Sequence, residues 1–295
     1  MLLTTIFFHV DEFCKEYEKF LKKTLIELDR KRPGGRPPKM CLSEVLTIAI
    51  FWHHSKYRTF KDYYENMVCK ELKCAFNCLV SYNRIVELLQ ESLLPLTLFS
   101  LSQKSTKKSE IFFIDSFKLN VCHNARISSH KVFKGLAQRG KTSTGWFYGF
   151  KVHLVINHHG EAVAFCVTPG NVSDCNTGVV RKLTKNITGL LFGDRGYISS
   201  KLFRELFARG LKLITRVREN MKNVFMHLKE KLLLQKRGVI ESVNGLLKTS
   251  LQIEHTRHRS VTNFFANIVS AFVAYNFREH KPSIKIEEYG LSITN

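Results

Sequence analysis

The sequence predicts a mixed α/β fold, a sheet flanked by helices, preceded by an all-helical N-terminal unit. Three observations predict it. Apolar side chains recur at three- and four-residue steps through most of the first hundred residues. After the polar, basic stretch SLSQKSTKKSE (100–110) the texture changes to short runs rich in Val, Ile and Phe. Beyond about residue 170, helical and strand patterns alternate. At 295 residues the chain is long enough for one large domain or two ordinary ones.

Each element has its own warrant. Residues 2–28 place Ile6, Val10, Phe13, Tyr17, Phe20, Leu21 and Leu28 on an amphipathic helix. The pattern stops before RKRPGGRPPK (30–39), a Pro/Gly-rich hinge that carries Arg30, Lys31, Arg32, Arg36 and Lys39 and no acid. Ser43 is the expected N-cap of a second helix, with Glu44 favourably near its start. Further helical patterns cover 59–79 and 82–94. Strands are expected at 111–117 (IFFIDSF), 147–157 (FYGFKVHLVIN) and 161–168 (EAVAFCVT), the last two joined by the hairpin turn HHG. The turn PGNVSDCN leads into a helix over about 174–185. A strand at 189–194, a helix at 200–210 and a strand at 211–217 follow, then helices from about 238 and over 261–279. Three antiparallel strands followed by alternating helix and strand describe a mixed five-stranded sheet, an order that fits the ribonuclease-H-like arrangement. The expected organisation is a helical unit over 1–100, a linker over 101–110, a sheet domain over 111–280 and a tail over 281–295.

Composition bounds the partners. Lys and Arg number 46 against 25 Asp and Glu, a net charge of +21. An excess of that size points to a polyanion, because each neutralised phosphate releases counterions. The eight cysteines form no CxxC pair. Cys69, Cys74 and Cys78 come nearest to metal-ligand spacing, but no matching Cys/His pair follows them, so buried helix thiols in a reducing compartment are expected. The apolar start MLLTTIFFHV lacks a basic flank, so no signal peptide is expected, and no segment approaches the ~18 apolar residues of a membrane span. A cytoplasmic protein is expected, with no membrane partner.

Three acids stand apart from the solvated remainder. Asp115 sits inside the run IFFIDSF, Asp194 closes LLFGD at a strand end, and Glu241 lies on the helix RGVIESVNGLLK. Singly, each has a structural reading: a strand-end cap or partner for a buried Arg, turn chemistry before Arg195-Gly196, and an exposed helix acid. Together they can converge, and converging carboxylates are tolerated when a divalent cation neutralises them. Mg²⁺ takes one or two protein carboxylates and completes its shell with water and phosphate oxygens. Two such ions ~4 Å apart can activate an attacking oxygen and stabilise a leaving one in phosphodiester chemistry. At 100° per residue, Arg237, Glu241, Asn244 and Lys248 fall in one stripe, opposite Val239, Ile240, Val243, Leu246 and Leu247. An Arg237–Glu241 salt bridge accounts for two of the four.

In this setting FIDSF, GDRGY and RGVIESVNGLLK resemble the three acidic motifs of insertion-sequence DDE transposases, which have ribonuclease-H-like catalytic domains. Arg237, Glu241 and Lys248 match the Arg-x3-Glu-x6-Lys spacing of one branch, although Leu234 stands where that branch usually has Tyr. GRPPKMCLSEVLTIAIF and YGFKVHLVIN…GEAVAFCVTPGNVSD resemble further stretches of the same family. The resemblance implies a catalytic and metal-binding triad of Asp115, Asp194 and Glu241. It implies Mg²⁺ or Mn²⁺, two ions, as cofactor, with Arg237, Lys248 and Asn244 near the DNA. Its expected partners are double-stranded DNA, as terminal inverted repeats and as target, and a second copy of the chain. It implies a nucleoid-associated enzyme that frees a 3′-OH and joins it to target DNA. The hinge residues Arg30, Lys31, Arg32, Arg36 and Lys39, and the acid-free loop with Arg126, Lys131 and Lys134, are further DNA-binding candidates. His153 reads as structural and Asp174 as a helix-start acid. A nuclease without strand transfer and a non-catalytic DNA-binding descendant are the alternatives.

Overall fold

The computed structural model describes residues 2–27, 38–103, 109–143, 145–216, 225–254 and 258–286. They divide into two compact units. Among them no single helix is long and apolar enough to cross a membrane.

The first unit is helical. It contains α1 (Leu2–Glu27), α2 (Leu42–Trp52), the single turn α3 (Phe60–Asp62) running into a π-helix (Tyr63–Glu71), α4 (Tyr82–Glu91) and α5 (Leu93–Ser102). Ile6, Val10 and Cys14 form the buried face of α1. The N-cap of α2 is Cys41, not Ser43. Glu44 occupies the third helical position, where its carboxylate reaches back to accept from the Cys41 N–H at 2.9 Å and also from the Asn77 N–H at 3.0 Å. Ser43 itself lies inside the first turn and is buried, so the helix start is secured by the Glu44 carboxylate and its two backbone donors. Met40, Ile48, Trp52, Tyr63, Tyr64 and Ile85 are among the core of this unit.

The long C-terminal helix α10 (Val261–Asn276) also belongs here rather than with the strands, unlike the expected 111–280 span. Ile268, Ala271, Phe272, Val273 and Tyr275 are all buried, so the helix is apolar around its circumference and needs cover on every side. Helices α5, α2 and α4 supply that cover. His53, buried at the end of α2, ties the return segment down by donating to the Leu251 carbonyl at 2.6 Å, and its other ring nitrogen lies 2.9 Å from the Ser270 hydroxyl.

The second unit is built on one mixed sheet: β1 (Ile111–Cys122), β2 (Gln138–Thr142), β3 (Gly145–Asn157), β4 (Ala162–Pro169), β5 (Gly189–Gly193) and β6 (Leu211–Thr215). Across the sheet the order is β3–β1–β5–β6. The outer edge of β3 is paired along its first half by β2 and along its second half by β4. β1 runs antiparallel to β3 and parallel to β5, and β5 runs parallel to β6. This is the ribonuclease-H-like arrangement, enlarged by one strand. β2 was not expected, because QRGKT has no apolar alternation. Backbone pairing with β3 holds it, and the Gly140 backbone admits the Phe147 ring, which a Cβ would meet at 2.6 Å.

β1 and β3 lie in the sheet interior, which explains their near-continuous apolar sequences. Phe112 and Ile114 point into a core shared with Val180 and Leu183 of α6 (Thr177–Leu183) and Leu202 and Leu206 of α7 (Ser200–Phe207). The other helices of this unit are α8 (Leu228–Gln235) and α9 (Gly238–Thr249). Ile284, in the expected tail, donates its N–H to the His158 carbonyl at 2.8 Å.

The cysteines are all free thiols, yet only Cys14 is buried; the rest are exposed or half-buried, and Cys122 and Cys166 lie on strands. Burial pushes the Cys14 thiol up to about 12.

Candidate functional site

Strand register assembles the first two acids. The parallel ladder pairs Ile111 with Leu190 and Phe113 with Phe192, and the same offset carried two residues on sets Asp115 level with Asp194. Side chains two apart on a strand share a face, so the Asp115 carboxylate lies on the side of Phe113, whose ring stacks on Phe192 with centroids 5.4 Å apart, and Asp194 follows the end of β5 close enough to raise the Asp115 carboxyl. The ladder ends at that phenylalanine pair. β5 stops at Gly193, and Asp194 caps the one-turn 3₁₀ helix Arg195–Tyr197 by accepting from the Gly196 N–H at 2.9 Å. Asp194 is therefore both a turn residue and a candidate ligand.

α9 lies over the same face. The Asn244 amide donates to the Asp115 carboxylate at 3.0 Å, and one helical turn on, the Lys248 ammonium stands 5.3 Å from the centre of the Phe117 ring. Asn244 and Lys248 thus follow Asp115 and Phe117 along β1. Asn244 faces Asp115 rather than open solvent and is buried, with its amide oxygen unpaired among the described residues. Glu241, one turn before Asn244, is exposed at 58% of its side chain and accepts from Arg237, which sits just ahead of the helix.

Burial pushes the Asp115 carboxyl up from 3.8 to about 6. The Ser116 N–H and Arg237 oppose the shift, while Asp194 and Glu241 add to it. Asp115 therefore feels both other acids, but the three do not form a closed cage. Among the described residues no three His, Cys, Asp or Glu side chains are gathered closely enough to hold a metal ion, and Glu241 is paired with Arg237.

Other residues near the acids were read differently from sequence. Asp174 is not a helix-start acid; Asn176 caps α6, and Asp174 accepts from Ser116 at 2.6 Å and from the buried Lys151 ammonium at 3.1 Å. Lys151 also donates to the Val172 carbonyl, so it pins the loop to β3. His153 is fully buried beside the Thr168 hydroxyl at 2.9 Å, and burial holds it down at about 4. Tyr197 is buried with no partner for its hydroxyl among the described residues; burial and the nearby Asp115, Asp174 and Asp194 hold its phenol well above the ordinary range. Its position in GDRGY was the only available signal. Leu234 is buried on α8.

Of the basic candidates, Arg126, Lys131, Lys134 and Lys39 are exposed, and Arg30, Lys31, Arg32 and Arg36 lie outside the described residues.

Residues 105–261, more than half of the chain, match the family model described as a transposase DDE domain. Among solved structures, a piggyBac transposase in a synaptic complex with hairpin DNA aligns at 11% identity and a TM-score of 0.47, covering 99% of this chain and 75% of that one. The Mos1 strand transfer complex aligns at 11% identity and a TM-score of 0.24, covering 92% of this chain and 88% of that one. No curated protein matches the sequence.

Proposed function

Since the chain belongs to the DDE transposase family, we propose that it is an insertion-sequence transposase that binds terminal inverted repeats, cuts DNA at their ends and joins the freed 3′-OH to target DNA. The observation that carries the reading is the register that sets Asp115 beside Asp194 under the Asn244–Glu241 face of α9.

The residues suit a hard divalent cation. All three candidates offer carboxylate oxygens, and Asp115, desolvated beside two like charges, is a site whose charge a cation would balance. Asp115, Asp194 and Glu241 would hold Mg²⁺ or Mn²⁺, which when bound in pairs supply an activated water and charge neutralisation at the scissile phosphate.

The chain's own groups do the rest. The Asn244 amide fixes the Asp115 carboxylate. Arg237 holds Glu241 until a phosphate competes for the guanidinium, which releases the carboxylate toward the other acids. Lys248, poised over Phe117, and the exposed basic residues of the 120–145 loop would contact backbone phosphates. In cutting, water oxygen bonds to phosphorus, the bond to the bridging 3′ oxygen breaks, and that oxygen leaves protonated. In joining, the 3′ oxygen attacks a target phosphodiester and displaces another 3′ oxygen. Two ends must be held together, so a homodimer is the working assembly.

The test is incubation of the chain with duplexes carrying the repeats that flank its gene, a target plasmid and Mg²⁺. Cleavage with joined products is expected. Cleavage without joining would select a plain nuclease, and binding without cleavage a DNA-binding descendant.

A further inference from the structure

The β2–β3 hairpin carries a feature that the three acids do not use. Trp146, at the start of β3, is 61% exposed, whereas the chain's other tryptophan, Trp52, is buried in the helical unit. Cross-strand pairing puts Lys141 opposite Trp146, and the Lys141 ammonium lies 5.7 Å from the centre of the indole. Asn124 donates its side-chain amide to the Trp146 carbonyl at 3.0 Å, which fixes the backbone of the aromatic platform. Beside the indole is a cleft of about 360 Å³ lined by Asn124, Ile127, Arg139, Trp146 and Phe147.

The electrostatic setting is one-sided. From Ser116 to Gly160 the sequence contains no Asp or Glu, while Lys118, Arg126, Lys131, Lys134, Arg139 and Lys141 supply positive charge. A large exposed aromatic costs solubility when it serves nothing, and a flat ring flanked by cations matches a stacking base with its phosphates. Duplex DNA offers phosphates but no free base face, so the aromatic part of the site is of use only to an unpaired nucleotide. Trp146 stands eight residues along β3 from Leu154, the partner of Asp115, which is at most about 26 Å of strand.

From these observations we infer that Trp146, with Arg139 and Lys141, forms a stacking site for an unpaired DNA base, separate from the three acids. The inference rests on the proposed action on DNA for its biological setting, but its test does not need cleavage. The full chain in EDTA is titrated with a ~16-nucleotide dT strand and with a duplex of the same length, and both tryptophan emission and affinity are read. The single strand is expected to quench wild-type emission. Trp146→Phe should keep single-strand affinity within about threefold while losing the quench, since the phenyl ring still stacks and Trp52 is buried. Trp146→Ala should weaken single-strand binding at least about fivefold, the lower end of what one stacked base contributes, with duplex binding within about twofold. Equal loss on both DNAs, or Trp146→Ala binding dT like wild type, would overturn the assignment. Cleavage activity can fail while this result stands, and the reverse, so the two proposals are tested apart.

Discussion

Asp115→Asn should make the metal-free protein more stable. Burial raises the Asp115 carboxyl from 3.8 to about 6, so the folded state binds its proton more tightly than the unfolded chain does. The sign follows directly: between pH ~4 and ~6 folding takes up a proton, so stability falls as pH rises through that window, and above it the full cost of the buried charge is present. The rise from 3.8 to about 6 corresponds to ~3 kcal/mol, and residual solvent access makes ~1–3 kcal/mol the working range. The asparagine keeps the shape and removes the charge. At pH 7.5 in EDTA the variant should therefore gain ~1–3 kcal/mol, or several degrees in Tm for a unit of this size. His153 sets a counter-slope: burial lowers it from 6.5 to about 4, so its neutral form stabilises the fold above pH ~6.5 and that contribution is lost as pH falls toward 4. The wild type should accordingly be nearly flat between pH 4.5 and 6.5, and Asp115→Asn should rise steeply there. Urea titrations of both proteins at pH 4.5, 6 and 7.5 read the difference. A variant less stable than wild type at pH 7.5, or a difference independent of pH, would show that the Asp115 charge does not cost the fold.

Three further outcomes follow from the same geometry. His153→Gln should remove that counter-slope, so the variant loses ~2 kcal/mol as pH rises from 4.5 to 7, where the wild type is nearly flat, and a urea midpoint as level with pH as the wild type's would contradict it. Asp174→Asn leaves the Lys151 ammonium buried without its carboxylate and should cost ~2–4 kcal/mol, whereas adding Lys151→Met should recover much of that; a double-mutant cycle with no coupling would show the pair to be idle. Gly149→Ala should cost more than ~3 kcal/mol in thermal unfolding, because a Cβ there would stand 2.0 Å from the Leu119 carbonyl oxygen across the β1–β3 ladder, at the strand irregularity near Asn120, and a variant of native stability would contradict it.

The sheet was legible because its central strands are buried on both faces, and continuous runs such as IFFI and FYGFKVHLVIN leave few other readings. β2 was not, since a polar edge strand is held by backbone pairing that side-chain pattern does not encode. α10 was read as a helix but placed in the wrong unit: its apolar circumference demands burial without naming the neighbours that provide it. At the site, Asp115 and Asp194 stood out as acids beside buried phenylalanines, and their spacing of 79 residues is the register offset of β1 on β5. What a periodicity cannot show is that Asn244 of α9 reaches Asp115, or the Lys151–Asp174–Ser116 network, whose partners lie far apart in sequence.

In the proposed enzyme one metal site joins β1, the end of β5 and α9. Fe²⁺ with ascorbate, bound in place of Mg²⁺, cuts the backbone nearest the ion and measures this directly. Cuts are expected near residues 115, 194 and 241 together, competed by Mg²⁺ and abolished by Asp115→Asn. Cuts at only one of the three segments, or a pattern that survives the substitution, would contradict it.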